Sequence, residues 1–237
     1  QFKNYNIDGY VIPKNDEFFS EHTNKDRLNF ISNFTGSAGC AIILKKKSYL
    51  FVDGRYTIKA KIESSKNFKI VDYKEIINTK LFKNLNLGID PKLFTSDQIK
   101  RFFLESNRVK IVNENLIDNI FKTKEKKPNL FYSLDKKVTG ENHSKKILKI
   151  LSYLKKNKLD YMLISAPENV AWLLNIRGHD SPTSPIPNCH LIIGKNKELF
   201  LITQKEKALK IIKDKKLSKK QIINPEKFED LIKKLKG

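Results

Sequence analysis

Cysteine, tryptophan, methionine and arginine are all scarce in this chain. Two Cys, one Trp and one Met stand among 237 residues, and Arg occurs only at positions 27, 55, 101, 108 and 177. Two cysteines as far apart as Cys40 and Cys189 make neither a disulfide framework nor a CxxC metal pair. They read as free core thiols in a reducing, cytoplasmic setting. Long apolar runs are missing too. The best, such as Ala41–Leu44, are strand-sized and far below the roughly 18 residues of a membrane span. No signal peptide is visible. The shortage of arginine also qualifies the net charge of +21. That charge is carried by 42 lysines spread along the whole chain, whereas readers of phosphates and bases lean on the bidentate guanidinium fork. A solvated lysine-rich surface, not a nucleic-acid interface, is the expectation.

Several chemical signatures are absent as well. Gly36-Ser37-Ala38-Gly39 has neither GxGxxG nor GxxxxGK[ST] spacing, and Ser37 is not framed as GxSxG. It reads as a tight turn from helix to strand. His22, His143, His179 and His190 never stand at i, i+4 or beside an acidic ligand pair, so no metal site is expected within the chain.

What is present is a rhythm of short apolar runs and amphipathic stretches, an α/β pattern in a chain long enough for two modest domains. Hydrophobic residues make up 39% of it, enough for a core. Strands are expected at 8–13, 39–44, 49–53, 68–71, 85–89 and 108–112. Helices are expected at 25–33, 56–63, 74–82, 96–104 and 116–121. Residues 122–140, charged and carrying Pro128, read as a linker. The rhythm then restarts with a helix over 141–156, a strand over 161–164 and a helix over 169–176. A hairpin over 189–202, a helix over 205–212, a short strand at 221–223 and a helix over 226–235 complete it. Trp172 falls on the apolar side of its helix and is expected in the core.

The two halves repeat each other at a spacing of about 150 residues. Asp8–Ile12 parallels Asp160–Ile164, Phe30–Gly36 parallels Trp172–Gly178, and Ile42 and Phe51 parallel Ile192 and Phe200. A repeat this long means two copies of one α/β domain, here 1–132 and 139–237, each a mixed sheet flanked by helices. The second copy lacks counterparts of the last strands of the first. It is expected to be incomplete on its C-terminal side and to leave an unpaired sheet edge.

Two stretches are candidates for chemistry. Asp53-Gly54-Arg55-Tyr56 ends a strand, where a guanidinium meets either a ligand carboxylate or carbonyl, or simply Asp53. Asn175-Ile176-Arg177-Gly178-His179-Asp180 leads into a loop with Pro182, Pro185 and Pro187, which is either a plain connection or the rim of a binding mouth.

Together these residues resemble a known family. Tyr10-Val11-Ile12-Pro13 with Asp16-Glu17 and Ser20-Glu21, Phe34-Thr35-Gly36-Ser37-Ala38-Gly39, Val52-Asp53-Gly54-Arg55-Tyr56, Gly88-Ile89-Asp90-Pro91, Glu114–Asp118 and Glu168–Asp180 are similar to the two N-terminal domains of the Xaa-Pro aminopeptidases, in the creatinase/prolidase group of metallopeptidases. The resemblance implies two tandem creatinase N-terminal-like domains that are not themselves catalytic. A third, pita-bread domain with no counterpart in these residues would hold two divalent ions, usually manganese, whose bridging hydroxide attacks peptides with proline at the second position. The resemblance further implies that this portion caps the active site and supports a homodimer. It makes Arg55 a substrate contact, and it sets Arg177, His179 and Asp180 along the approach to the active site. A stand-alone binding or scaffold module without peptidase activity is the competing expectation.

Overall fold

The computed structural model describes residues 1–20, 25–77, 81–104, 106–121 and 128–235. His22, residues 122–127 of the expected linker and residues 78–80 of one expected helix lie outside this set. The chain divides into two compact units, Gln1–Lys124 and Glu125–Gly237.

The first unit is a six-stranded mixed sheet. Its strands are β1 (Gly9–Pro13), β2 (Gly39–Leu44), β3 (Ser48–Val52), β4 (Phe68–Asp72), β5 (Asn86–Ile89) and β6 (Arg108–Ile111), in the order β4-β3-β2-β1-β5-β6. Only β2 runs against its neighbours; β3 with β4, β1 with β5, and β5 with β6 are parallel pairs. The carboxyl ends of β1, β3 and β4 therefore lie along one end of the sheet. Helix α1 (Phe2–Tyr5) precedes β1, and α2 (Arg27–Ser32), α3 (Thr57–Glu63) and α4 (Ser96–Ile99) lie between strands. The expected helix over 96–104 is α4 followed by a π-helical turn, with a Thr95–Gln98 capping box at its start.

The strand sequences explain how both faces of this sheet are covered. Successive side chains alternate between faces. Tyr10, Ile12, Ala41, Leu50 and Val52 enter one core with Leu28 and Phe34, while Val11, Cys40, Ile42, Tyr49 and Phe51 enter the other with Phe82 and Phe103. A strand buried on both faces reads as an unbroken apolar run, as Tyr10-Val11-Ile12 does. Residues 74–82 are not one helix: a 3-10 turn at Tyr73–Ile77 is all that forms among the described residues there.

The second unit has the four-stranded order β12-β11-β10-β8, and β7 and β9 form a separate pair. Its strands are β7 (Tyr132–Ser133), β8 (Tyr161–Ile164), β9 (Ile176–Arg177), β10 (His190–Gly194), β11 (Leu199–Ile202) and β12 (Ile222–Ile223). Its helices are α5 (Lys136–Thr139), α6 (His143–Lys156), α7 (Pro167–Leu174), α8 (Leu209–Lys213) and α9 (Phe228–Lys234). The described part of the expected linker is thus structured. Phe131 anchors it: its side chain is fully buried, and β7 pairs with β9.

The repeat is visible residue by residue. Val11 faces Ile42 across β1 and β2, and Leu163 faces Ile192 across β8 and β10. Asn33 and Asn175 end α2 and α7 in the same left-handed conformation, with φ of 64° and 52°. One expected match shifts. The turn between β10 and β11 is one residue longer than that between β2 and β3, so Phe200 stands opposite Ile192 as Tyr49, not Phe51, stands opposite Ile42. Among the described residues β8 ends its sheet, and Leu163 is 49% exposed where Val11 is 1%.

Candidate functional site

The end of β3 builds the most suggestive cavity of the first unit. Val52 is the last strand residue, and Asp53 then caps a 3-10 turn over Gly54–Tyr56 by accepting the Arg55 N–H at 2.9 Å. The same Asp53 Oδ1 accepts from Arg55 Nε at 2.9 Å. The Arg55 guanidinium, and after it the Arg55 backbone N–H, hold the Asp53 carboxyl below the usual aspartate range. The Arg55 side chain is 73% exposed. The ion pair foreseen from the sequence forms, and the guanidinium nonetheless faces a cavity.

That cavity has a volume of about 680 Å³. Parallel pairing sets Val52 beside Asp72, which brings Asp72, Tyr73 and Lys74 to its rim from the end of β4. The loop after β1 brings Lys14, Asn15 and Phe19, and the small residues Ser37, Ala38 and Gly39 form its floor where β2 begins. Lys14 is nearly buried and paired with Asp26, and Ser37 Oγ shares a 2.9 Å hydrogen bond with the Tyr56 hydroxyl. Clefts outside the carboxyl ends of strands are the usual ligand positions of open α/β sheets. The lining sets Lys14, Arg55 and Lys74 against Asp53 and Asp72, with Arg55 paired to Asp53 and Lys14 to Asp26, so donors and acceptors both face the cavity, whose volume is that of a small-ligand site. The motif reading named Arg55 alone of this lining; Phe19 and Lys74 reach the same cavity because β1 and β4 run in the same direction as β3.

The candidates of the second unit are held differently. Arg177 Nη1 donates to the carbonyls of Ile176 at 2.8 Å and Ala171 at 3.3 Å, at the end of α7. Asp180 is buried, accepting from Asn188 N–H at 2.8 Å and pairing with Lys207 at 2.8 Å. His179 is exposed and stacks on Tyr132, with centroids 5.4 Å apart. These contacts fix the base of the proline loop. Trp172, expected in the core, is 57% exposed. The buried side of α7 is taken by Val170, Ala171, Leu173 and Leu174, which leaves Trp172 outside, beneath the Lys146 ammonium at 4.1 Å from its centroid. Among the described residues no three His, Cys, Asp or Glu side chains converge as a metal site would require, and no helix is long and apolar enough to cross a membrane.

Residues 1–115 and 122–237 each match the family described as Creatinase/Prolidase N-terminal domain. The chain belongs to that family. Its two creatinase/prolidase N-terminal domains are similar to the probable Xaa-Pro aminopeptidase P of Laccaria bicolor, at 31% identity over 216 residues, 84% of this chain and 34% of that protein. They are likewise similar to Xaa-Pro aminopeptidase 1 of Dictyostelium discoideum, at 31% identity over 225 residues, 85% of this chain and 36% of that protein. The chain therefore spans about a third of the length of the curated relatives it matches. In fold it is similar to an X-prolyl aminopeptidase from Caenorhabditis elegans, described as a cytosolic enzyme with a di-nuclear active site. The TM-score is 0.83 at 24% identity, covering 95% of this chain and 39% of that one.

Proposed function

We propose that these two domains are the non-catalytic N-terminal portion of a metal-dependent Xaa-Pro aminopeptidase, which removes the first residue of peptides with proline second. One observation carries this reading: the relatives named Xaa-Pro aminopeptidase align through both domains, at 31% identity, and extend to about three times the aligned length. In this reading the two divalent ions, manganese by family resemblance, belong to a third, catalytic domain and not to these two. The portion caps the active site of a cytoplasmic homodimer. Arg55 contacts a carbonyl or carboxylate of the bound peptide, and Arg177, His179 and Asp180 border the approach through the loop they anchor.

The test is made on the full-length protein supplied with Mn²⁺, assayed on Xaa-Pro peptides against Xaa-Ala controls. Cleavage confined to the proline series, and abolished by chelation, is expected. Arg55→Ala should lower kcat/KM by about tenfold or more, the scale of one charge-assisted hydrogen bond. A full-length protein that binds such peptides without cleaving them would make this a binding module instead.

A further inference from the structure

One residue of the Arg55 cavity is held in a conformation that its type rarely adopts. Phe19 has φ of 57°, in the left-handed region, where a bulky side chain is an outlier. The surrounding turn imposes it. Asp16, itself buried, accepts the Phe18 N–H at 2.9 Å and the Ser20 N–H at 3.0 Å on Oδ1, while its carbonyl accepts the Phe19 N–H at 3.0 Å. Asn15 ties the same turn to the body of the domain through Leu93 O at 3.0 Å.

Among the described residues Phe19 belongs to neither core of the first unit, and 48% of it is exposed. Glycine would adopt the same backbone at lower cost. What the conformation achieves is to put an aromatic ring on the wall of the cavity whose rim also carries Arg55. Strain of this kind, kept by a well-bonded turn, tends to collect where ligands are gripped.

We propose that Phe19 is a specificity-determining residue of this cavity, selecting peptides with a large apolar side chain beside the carbonyl or carboxylate that Arg55 holds. The inference rests on the peptide-binding reading above and adds a side-chain preference to it. Arg55 and Lys74, set beside Asp53 and Asp72 in the same lining, meet the acceptor oxygens of the peptide, and the Phe19 ring covers the neighbouring side chain. A peptide with glycine at that place leaves the ring uncovered.

The experiment uses the full-length protein with Phe19→Gly and Phe19→Leu, and the peptides Xaa-Pro-Leu and Xaa-Pro-Gly. Phe19→Gly should raise KM for the leucine peptide by about tenfold, the order expected for one apolar side chain losing its cover. It should leave the glycine peptide within about twofold, and Phe19→Leu should keep most of the preference. Because glycine suits φ of 57°, the melting temperature of Phe19→Gly should not fall, which separates lost contact from lost fold. Equal kinetics for both peptides in wild type and Phe19→Gly would overturn the proposal, and so would an equal loss for both. If the wild-type protein cleaves neither peptide, the enzymatic reading fails on its own. Calorimetric titration with the intact peptides then still decides Phe19: an unchanged affinity ratio of leucine to glycine peptide on Phe19→Gly overturns it.

Discussion

The Lys146 ammonium donates to Asn175 Oδ1 at 2.7 Å and to the Trp172 carbonyl at 2.8 Å, at the C-terminal end of α7. A buried lysine meets no carboxylate in these two bonds. The carbonyl end of a helix, with its partial negative charge, takes that place. Lys216 repeats the arrangement, donating to the carbonyls of Leu174 and Asn175 at 3.1 Å each.

Burial pushes the Lys146, Lys216 and His143 pKa values down; neighbouring cations add to it, and Glu141 beside Lys146 and Asp214 beside Lys216 oppose it in part. For a group whose folded pKa lies below its unfolded value, the unfolded chain binds the proton first as pH falls. His143 should therefore cost stability progressively as pH drops below about 6.5. The lysines should relieve a cost as pH climbs toward about 10.4. Urea midpoints of His143→Gln should decline less than wild type between pH 7 and 5. Lys146→Met should lose about 1–3 kcal/mol at pH 7, because it orphans two acceptors.

Asn33 and Asn175 share a backbone conformation but not a task. Asn33 is exposed, whereas Asn175 also donates through Nδ2 to Glu141 O at 2.7 Å and Thr139 Oγ1 at 3.1 Å. Glycine fits both left-handed positions. Asn33→Gly should leave stability within about 0.5 kcal/mol or raise it, while Asn175→Gly should cost about 2–3 kcal/mol from its broken network. Paired chemical denaturation curves check this.

Glycines near the cavity should separate in the same way. A Cβ on Gly36 would lie 2.2 Å from Cζ of the buried Phe34, whereas one on Gly54 meets nothing within 4 Å. Gly36→Ala should lower the melting temperature by several degrees, and Gly54→Ala should leave it unchanged. Scanning calorimetry of the two variants reads the difference.

Both cysteines are buried free thiols. Burial pushes the Cys40 thiol up to about 12, and Cys189 rises for the same reason, with Asp180 adding to it. Neither should react with iodoacetamide at pH 8 in the native protein, and both should react in denaturant. Mass spectrometry after alkylation gives the count.

Much of this architecture was legible in the amino-acid sequence because it rests on local rules. Short apolar runs placed β1 to β3, and the likeness of Phe30–Gly36 to Trp172–Gly178 paired α2 with α7, whose ends share a left-handed Asn. The failures share a cause in distance along the chain. The structured segment at Phe131 depends on pairing with Ile176–Arg177, more than forty residues on. Trp172 was misplaced because periodicity finds an apolar side of α7 without saying which residue a distant lysine covers. At the candidate site Arg55 was readable from its motif, whereas Phe19 and Lys74 join it only through sheet direction.

The outer edge of β8 has a consequence for how the second unit breathes. Alternate residues of a strand direct their N–H and C=O groups to opposite sides. On β1 both sides find partners, in β2 and β5, whereas β8 bonds to β10 on one side alone among the described residues. Half of the β8 amides thus have no ladder to hold them. They should trade hydrogen for deuterium on the timescale of local opening, while their counterparts on β1 wait for the whole domain to unfold.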